Sequence, residues 1–100
     1  MHKRTKALDI PKAVKDKVWE RDGRCCVYCG TPQAMPNAHY IPRSHGGLGI
    51  EKNVVTLCHD CHMRYDNTVE RPIIKDFLRQ YLISHYPEWD EQNLIYRKWI

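Results

Sequence analysis

The sequence predicts a small α+β domain in which two short strands are flanked by helices. Three observations support this class. Two Cys-x-x-Cys pairs, Cys26/Cys29 and Cys58/Cys61, lie 28 residues apart, and the residues between them have the pattern of a hairpin with a long loop. Helical patterns occur before and after this region. Because a chain of 100 residues buries only a modest core, additional stabilisation by a bound metal ion is expected.

Positive charge is concentrated at the N-terminal end. Residues 1–24 hold eight Lys and Arg against four Asp and Glu, which accounts for the whole net charge of +4. A cationic segment of this kind attracts phosphate backbones, and Lys12 and Lys15 are the candidate contacts. The alternative is a solvent-facing surface, with residues 1–8 forming a basic, partly disordered tail.

A first helix is predicted over residues 10–22. Asp9 is a suitable N-cap, and Pro11 falls in the first turn, where a missing N–H costs nothing. Gly23 can end the helix in a left-handed conformation. Its apolar stripe, which includes Val18, is predicted to face the core.

The two cysteine pairs predict a structural zinc site. Two residues between sulfurs let the backbone fold around one ion, so Cys26, Cys29, Cys58 and Cys61 are the expected ligands. Cys25 is then a fifth thiol, although zinc sites also tolerate the spacing that would make it replace Cys26. Redox chemistry is the competing interpretation, but redox motifs are rarely doubled in this way.

The region between the pairs is predicted to form a hairpin. Residues 39–41 and 54–57 are rich in β-branched or aromatic side chains, and the residues between them include Pro42 and three glycines. After Cys61 the sequence predicts a helix or a helical turn. The expected order is therefore strand, loop, strand and helix.

The C-terminal third is predicted to contain a further helix and an apolar end. Apolar residues recur at helical spacing from Ile73 to Leu82, between Pro72 and Pro87, and this helix is expected to pack on the first one. Residues 85–100 contain Leu94, Ile95, Tyr96 and Trp99, so this segment is expected to dock on the domain or on a partner. It permits a homodimer but does not require one.

Two classes of protein are excluded by composition. The chain has no long apolar run, so it is not expected to span a membrane, and its charged N-terminus does not resemble a secretory signal. We therefore expect a cytoplasmic protein. In that compartment paired cysteines bind metal more often than they form structural disulfides.

His39, Asn53 and His62 stand in the contexts AHYIPRSHGG, EKNVVTLC and HDCHMRYDN. These residues resemble the HNH endonuclease motif, whose fold is the ββα-metal finger. The four cysteines are similar to those of its zinc-binding members, which are often encoded by phages, prophages and mobile elements of bacteria. The resemblance covers residues 10–68 and implies a DNA endonuclease domain, which we expect to occupy residues 9–84.

The resemblance also implies a role for each motif residue. Hydrolysis of a phosphodiester needs a base, a divalent cation and groups that hold the strand. His39 would be the general base, and Asn53 would fix the loop and orient His39 through its backbone carbonyl. His62 would bind the catalytic ion, for which Mg²⁺ or Mn²⁺ is expected.

The sequence departs from the family pattern at one position. Ala38 stands where the family usually has an acid or a histidine that binds the metal. Asp66 lies four residues after His62 and would share a helical face with it, so Asp66 can replace the missing ligand. The alternative is that Asp66 is a solvated charge.

Two loop residues complete the candidate site. Arg43 is a candidate phosphate contact or an ordinary surface arginine, and His45 either helps to position DNA or faces solvent. The main alternative for the whole chain is a non-catalytic zinc-finger module that binds nucleic acid. A zinc-dependent protein-interaction domain fits the cysteine spacing but gives His39 no role.

Overall fold

The computed structural model describes residues 3–97 and contains the predicted elements in the predicted order. Residues 1–2 and 98–100, which include Trp99 of the predicted C-terminal segment, lie outside the described residues. None of the described helices has the length and apolar character needed to cross a bilayer. The elements are α1 (Lys3–Leu8), α2 (Lys12–Arg21), β1 (Met35–His39), β2 (Val54–Leu57), α3 (His59–Asn67) and α4 (Arg71–His85), with 3₁₀ turns at Arg43–His45 and Glu91–Leu94.

The two strands form one antiparallel hairpin, and β1 begins earlier than the sequence predicts. Ala38 lies opposite Val55 and His39 lies opposite Val54, with a bulge between Met35 and Ala38. The prediction that the first strand covers residues 39–41 was wrong. The four residues of β2 pair with the segment before residue 40. Beyond that point Pro42 has no backbone N–H that could continue the hydrogen-bond ladder.

The start of α2 also differs from the prediction. The helix begins at Lys12, and its N-cap is Pro11, which provides no side-chain cap. Asp9 is therefore not a cap: its Oδ1 accepts a hydrogen bond from Arg43 Nη1 at 2.7 Å, because the chain before the helix turns toward the hairpin loop. The predicted end is confirmed, since Gly23 follows the helix with φ +72°.

The core lies between the hairpin, α3 and α4. One face of α4 buries Ile74, Leu78 and Leu82, which recur at a spacing of four residues. Ile73 and Phe77 were predicted to share this face, but they are 68% and 40% exposed. The single row formed by Ile74, Leu78 and Leu82 is enough to fill the contact between α4 and the core. The predicted packing of α4 on α2 was also wrong: α4 packs mainly on α3, and α2 packs mainly on the two strands.

Polar side chains at the end of α2 join it to the hairpin and to α4. The buried carboxylate of Asp22 accepts hydrogen bonds from Thr56 N at 2.8 Å and from Tyr81 Oη at 2.6 Å. Arg21 pairs with Asp22 at 2.7 Å and donates to the carbonyl oxygen of Val54 at 2.7 Å. This network fixes β2, which lies directly between Asn53 and Cys58, the first cysteine of the second pair.

The first and last segments that the structure describes both pack on the hairpin loop. The predicted tail, residues 1–8, contains α1, whose last residue, Leu8, is buried. At the C-terminal end Leu94 is buried, its carbonyl oxygen accepts from Leu48 N at 2.8 Å, and Ile95 forms a β-bridge with Gly47. The described residues of the C-terminal segment therefore pack on the hairpin loop of their own chain.

Candidate functional site: a four-cysteine centre and an adjoining cavity

Four cysteines converge at the base of the hairpin. The sulfur atoms of Cys26, Cys29, Cys58 and Cys61 all lie within 4.8 Å of one another. Each pair is closed in the same way, because the backbone N–H of the second cysteine donates to the sulfur of the first at 3.4 Å. Cys25 lies outside this group, with its Sγ 3.5 Å from the carbonyl oxygen of Asp22. The four sulfurs that the structure groups together thus include that of Cys26 and not that of Cys25.

The geometry and acidity of these thiols fit a tetrahedral metal ion. Cys29 Sγ and Cys58 Sγ are 3.6 Å apart, close to the spacing of about 3.8 Å that tetrahedral Zn–S bonds of about 2.3 Å require. Burial opposes ionisation of Cys26, but backbone N–H groups, that of Cys29 first, lower its pKa to about 7. Burial and the neighbouring sulfurs raise the pKa of Cys61. Four crowded thiols cannot all ionise alone, whereas a bound cation stabilises four thiolates.

An open cavity of about 560 Å³ lies beside this centre, between the hairpin loop and α3. It brings together His39 from the end of β1, the 3₁₀ turn of the loop and polar side chains of α3 and α4. Its lining residues are Asn37, His39, Pro42, Arg43, Ser44, His45, His62, Asp66 and Arg71. Most of the residues predicted from the motif therefore share one cavity.

His39 is held in one tautomer. Its Nε2 lies 2.8 Å from the carbonyl oxygen of Leu8. Because a carbonyl oxygen only accepts hydrogen bonds, Nε2 carries the proton and Nδ1 carries the lone pair. Burial lowers the pKa of His39 from its ordinary value of 6.5; the hydrogen bond to Leu8 opposes this, and the charge of Arg43 acts in the same direction as burial. A neutral imidazole with a defined accepting nitrogen can act as a base.

His62 and Asp66 share the predicted face of α3. His62 Nε2 and Asp66 Oδ2 are 3.1 Å apart, one helical turn from each other, and both side chains are partly exposed to the cavity. An imidazole and a carboxylate are ligands for a hard divalent cation. Among residues 3–97, no third His, Cys, Asp or Glu brings its ligand atom within 4.8 Å of both. Water would fill the remaining positions of an ion bound here.

The position before His39 cannot supply a ligand. Ala38 is fully buried in the core, because strand alternation turns it away from the cavity. The same alternation places Asn37 with His39 in the cavity lining, and Asn37 also lines a smaller cavity with His62. Sequence reasoning missed Asn37. The period-two pattern of β1 could have identified it if the start of the strand had been predicted correctly.

Asn53 fixes the two ends of the hairpin loop. The side chain is fully buried; its Oδ1 accepts from Ile41 N at 2.8 Å, and its Nδ2 donates to the carbonyl oxygens of Ile41 at 3.2 Å and Leu48 at 2.9 Å. This is the loop-fixing geometry expected of it. Its backbone carbonyl accepts from Tyr40 N at 2.7 Å, and the hydrogen bond that the structure shows for the His39 ring is made to the carbonyl oxygen of Leu8 instead.

The predicted nucleic-acid contacts lie at different distances from the cavity. Arg43 and His45 line it, although Arg43 also donates to Asp9 Oδ1 and to the carbonyl oxygen of Leu8. Lys15 lines an adjoining cavity of about 380 Å³ that includes His39 and Arg43. Lys12 lines neither cavity and pairs with Asp16 on the exposed side of α2 at 2.9 Å.

Arg71 is a second cavity residue that sequence reasoning missed. It opens α4, lines the cavity, and donates from Nη1 to the carbonyl oxygen of Tyr65 at 3.0 Å. Its guanidinium carbon lies 4.3 Å from the centre of the Tyr65 ring, a cation–π contact that holds the group in place. No motif pattern marks this arginine, since its position follows from the turn between α3 and α4.

Two comparisons with known proteins match part of this chain. A model of the HNH endonuclease family matches residues 26–78, which contain the four cysteines and all nine residues that line the cavity. The chain is also 39% identical over 41 residues to Anaredoxin of Nostoc sp. (strain PCC 7120), an alignment that covers 40% of this chain and 54% of that protein. The chain thus spans about half the length of the curated relative it matches. Because the family match covers more than half of its residues, the chain belongs to the HNH endonuclease family.

Proposed function

We propose that this protein is a metal-dependent DNA endonuclease with a structural zinc ion in the four-cysteine centre. His39 acts as the general base, and His62 and Asp66 hold one catalytic divalent ion, with Mg²⁺ or Mn²⁺ as the expected ions. The single observation that carries the proposal is the meeting of a tautomer-fixed His39 with the His62–Asp66 pair in one open cavity.

Different residues of the cavity have different roles in hydrolysis. His39 Nδ1 takes a proton from water, and the resulting hydroxide attacks phosphorus while the bond to the 3′ oxygen breaks. Protonation of that oxygen by solvent leaves a 3′-hydroxyl and a 5′-phosphate. A bound divalent ion supplies stabilisation of the negative charge on the phosphate and the departing oxygen. Arg43 and Arg71 bind phosphate oxygens and hold the strand.

One observation favours a second candidate function. The buried Ala38 removes the usual ligand before His39, so the pair on α3 has no third His, Cys, Asp or Glu close by among the described residues. A zinc module that binds nucleic acid without cutting it would have this geometry. We favour the nuclease because His39 keeps its orienting hydrogen bond and because Asn37, whose side-chain amide can supply an oxygen ligand, lines the cavity.

Plasmid cleavage tests the proposal. Supercoiled DNA is incubated with the wild-type protein and Mg²⁺ or Mn²⁺, with and without EDTA, and with the variant His62→Ala. We expect cleavage that requires added Mg²⁺ or Mn²⁺ and is absent without either ion in protein that has kept its zinc, and a loss of at least tenfold in His62→Ala that higher ion concentration partly restores. His85→Ala is the matched control, because His85 lies on α4 outside the cavity.

The outcomes separate the two candidate functions. DNA binding without cleavage under either ion, measured by fluorescence anisotropy, would replace the nuclease with the non-catalytic module. Absence of both binding and cleavage would exclude both candidates. Cleavage that persists unchanged in His62→Ala would remove His62 from the catalytic ion site.

Arg71→Ala is expected to weaken DNA binding. Loss of a charge-assisted hydrogen bond to phosphate costs about 1.5–3 kcal/mol, which corresponds to about tenfold or more in affinity. The slope of the logarithm of the binding constant against the logarithm of salt concentration should also decrease in magnitude by about one, because one phosphate contact is lost. Arg64→Ala is the control, because Arg64 on α3 is engaged by Glu70 outside the cavity. Equal losses in both variants would contradict a specific role for Arg71, and titrations at several salt concentrations decide between them.

A further inference from the structure

The N-terminal segment, defined as residues 6–11, is docked against the wall of the cavity. Its anchor is the side chain of Leu8, which is 3% exposed. The backbone of Gly49 in the hairpin loop donates to the carbonyl oxygen of Ala7 at 3.1 Å. Arg43 Nη1 donates to Asp9 Oδ1 at 2.7 Å. The segment is thus held by an apolar contact, a backbone hydrogen bond and an ion pair.

The loop is shaped to receive this segment. A Cβ at position 49 would lie 1.9 Å from the carbonyl oxygen of Asp9 and 2.5 Å from its carbonyl carbon. Such distances are impossible for real atoms, so any side chain at this position would push the segment away. The glycine is required here for close approach of two backbones rather than for an unusual φ.

One backbone atom of the segment forms hydrogen bonds with side chains of the site. The carbonyl oxygen of Leu8 accepts from His39 Nε2 at 2.8 Å and from Arg43 Nη1 at 3.0 Å. This acceptor lies outside residues 26–78, the part of the chain that matches the family. The orienting partner of the histidine therefore comes from the N-terminal segment and not from the motif.

We propose that the docked N-terminal segment is a positioning element of the catalytic centre. By accepting the Nε2 proton, the carbonyl oxygen of Leu8 fixes the tautomer in which Nδ1 of His39 takes the proton from water. The same atom holds the Arg43 guanidinium beside the cavity. This inference rests on the proposed nuclease function, but the tautomer of His39 can be measured whether or not the protein cuts DNA.

Two variants displace the segment by different means. Leu8→Ala removes the apolar anchor, and Gly49→Ala introduces the clash with Asp9. Leu82→Ala is the matched control, because it truncates another buried leucine, on α4 and outside the cavity. Zinc content and thermal melting are recorded for all three variants, so that a folding defect is recognised before activity is compared.

Two measurements are made on each protein. The first is the plasmid cleavage rate, for which Leu8→Ala and Gly49→Ala are expected to lower kcat by about tenfold to a hundredfold. The second is the ¹⁵N NMR spectrum of the histidine rings. His39 is expected to carry its proton on Nε2 alone in the wild type and in Leu82→Ala, and to show a mixture of tautomers in the two displaced variants.

The result that overturns the proposal is an unchanged tautomer of His39 in both displaced variants, whatever happens to the rate. Wild-type cleavage rates in both variants would also overturn it. If the wild-type protein does not cleave DNA but the tautomer changes as expected, the positioning role stands and the proposed function fails. Loss of both properties in Leu82→Ala as well would assign the effect to general destabilisation and overturn the positioning role.

Discussion

Cys61→Ser is expected to abolish stoichiometric zinc binding and to unfold the domain. Cys61 is 1% exposed and lies in the first turn of α3, where its sulfur completes the group formed by Cys26, Cys29 and Cys58. Structural zinc contributes roughly 10–16 kcal/mol of apparent binding free energy at neutral pH, whereas whole domains are stable by only about 5–15 kcal/mol. Loss of the ion therefore removes most or all of the net stability.

The reason lies in what the four cysteines connect. Cys26 and Cys29 belong to the turn after α2, and Cys58 and Cys61 join the end of β2 to the start of α3. Without the ion, no other interaction of comparable strength among the described residues holds this turn to α3. His62, one residue after Cys61, would lose its fixed position as well.

Cys25→Ser provides the control for this prediction. The thiol of Cys25 lies outside the group, next to the carbonyl oxygen of Asp22. Elemental analysis should give one zinc per chain for the wild type and for Cys25→Ser, and far-UV circular dichroism should show the same melting transition. A folded Cys61→Ser protein, or a Cys25→Ser protein that loses its zinc, would contradict the assignment of ligands.

Sequence reasoning predicted the parts of the site that depend on local spacing. The cysteine pairs have a fixed separation in the chain, and His62 and Asp66 lie one helical turn apart, so their geometry follows once α3 is placed. The hairpin was predicted from its composition. Its first strand was predicted to begin too far along the chain. Residues 35–38 include a proline and a bulge, so they do not show the regular side-chain alternation that is typical of a strand.

Contacts made by the backbone and by remote turns could not be predicted. The partner of His39 is the carbonyl oxygen of Leu8, 31 residues away, and every residue carries such an atom. Arg71 enters the cavity because of the turn between α3 and α4, which the sequence does not specify by a recognisable pattern. Gly49 was seen only as one of three loop glycines, although its lack of a side chain allows the N-terminal segment to dock.

His39→Ala is expected to lower kcat by about 100- to 10,000-fold, the usual contribution of a general base. Folding and zinc content should be retained, because His39 is only partly buried and does not contact the cysteine centre. The KM for DNA should change little, since phosphate contacts are assigned to Arg43 and Arg71. Single-turnover cleavage of a labelled duplex measures the chemical step directly, with His85→Ala as the unaffected control.

The pH dependence identifies the base. Burial lowers the pKa of His39 below its ordinary value of 6.5, and a cation bound nearby would lower it further. Because the neutral ring is the active form, the rate should rise with pH and level off below pH 6.5 rather than above it. This limb should vanish from the residual activity of His39→Ala. An alanine variant that cuts at the wild-type rate, or that keeps the same pH limb, would exclude His39 as the base and transfer that role to another group in the cavity.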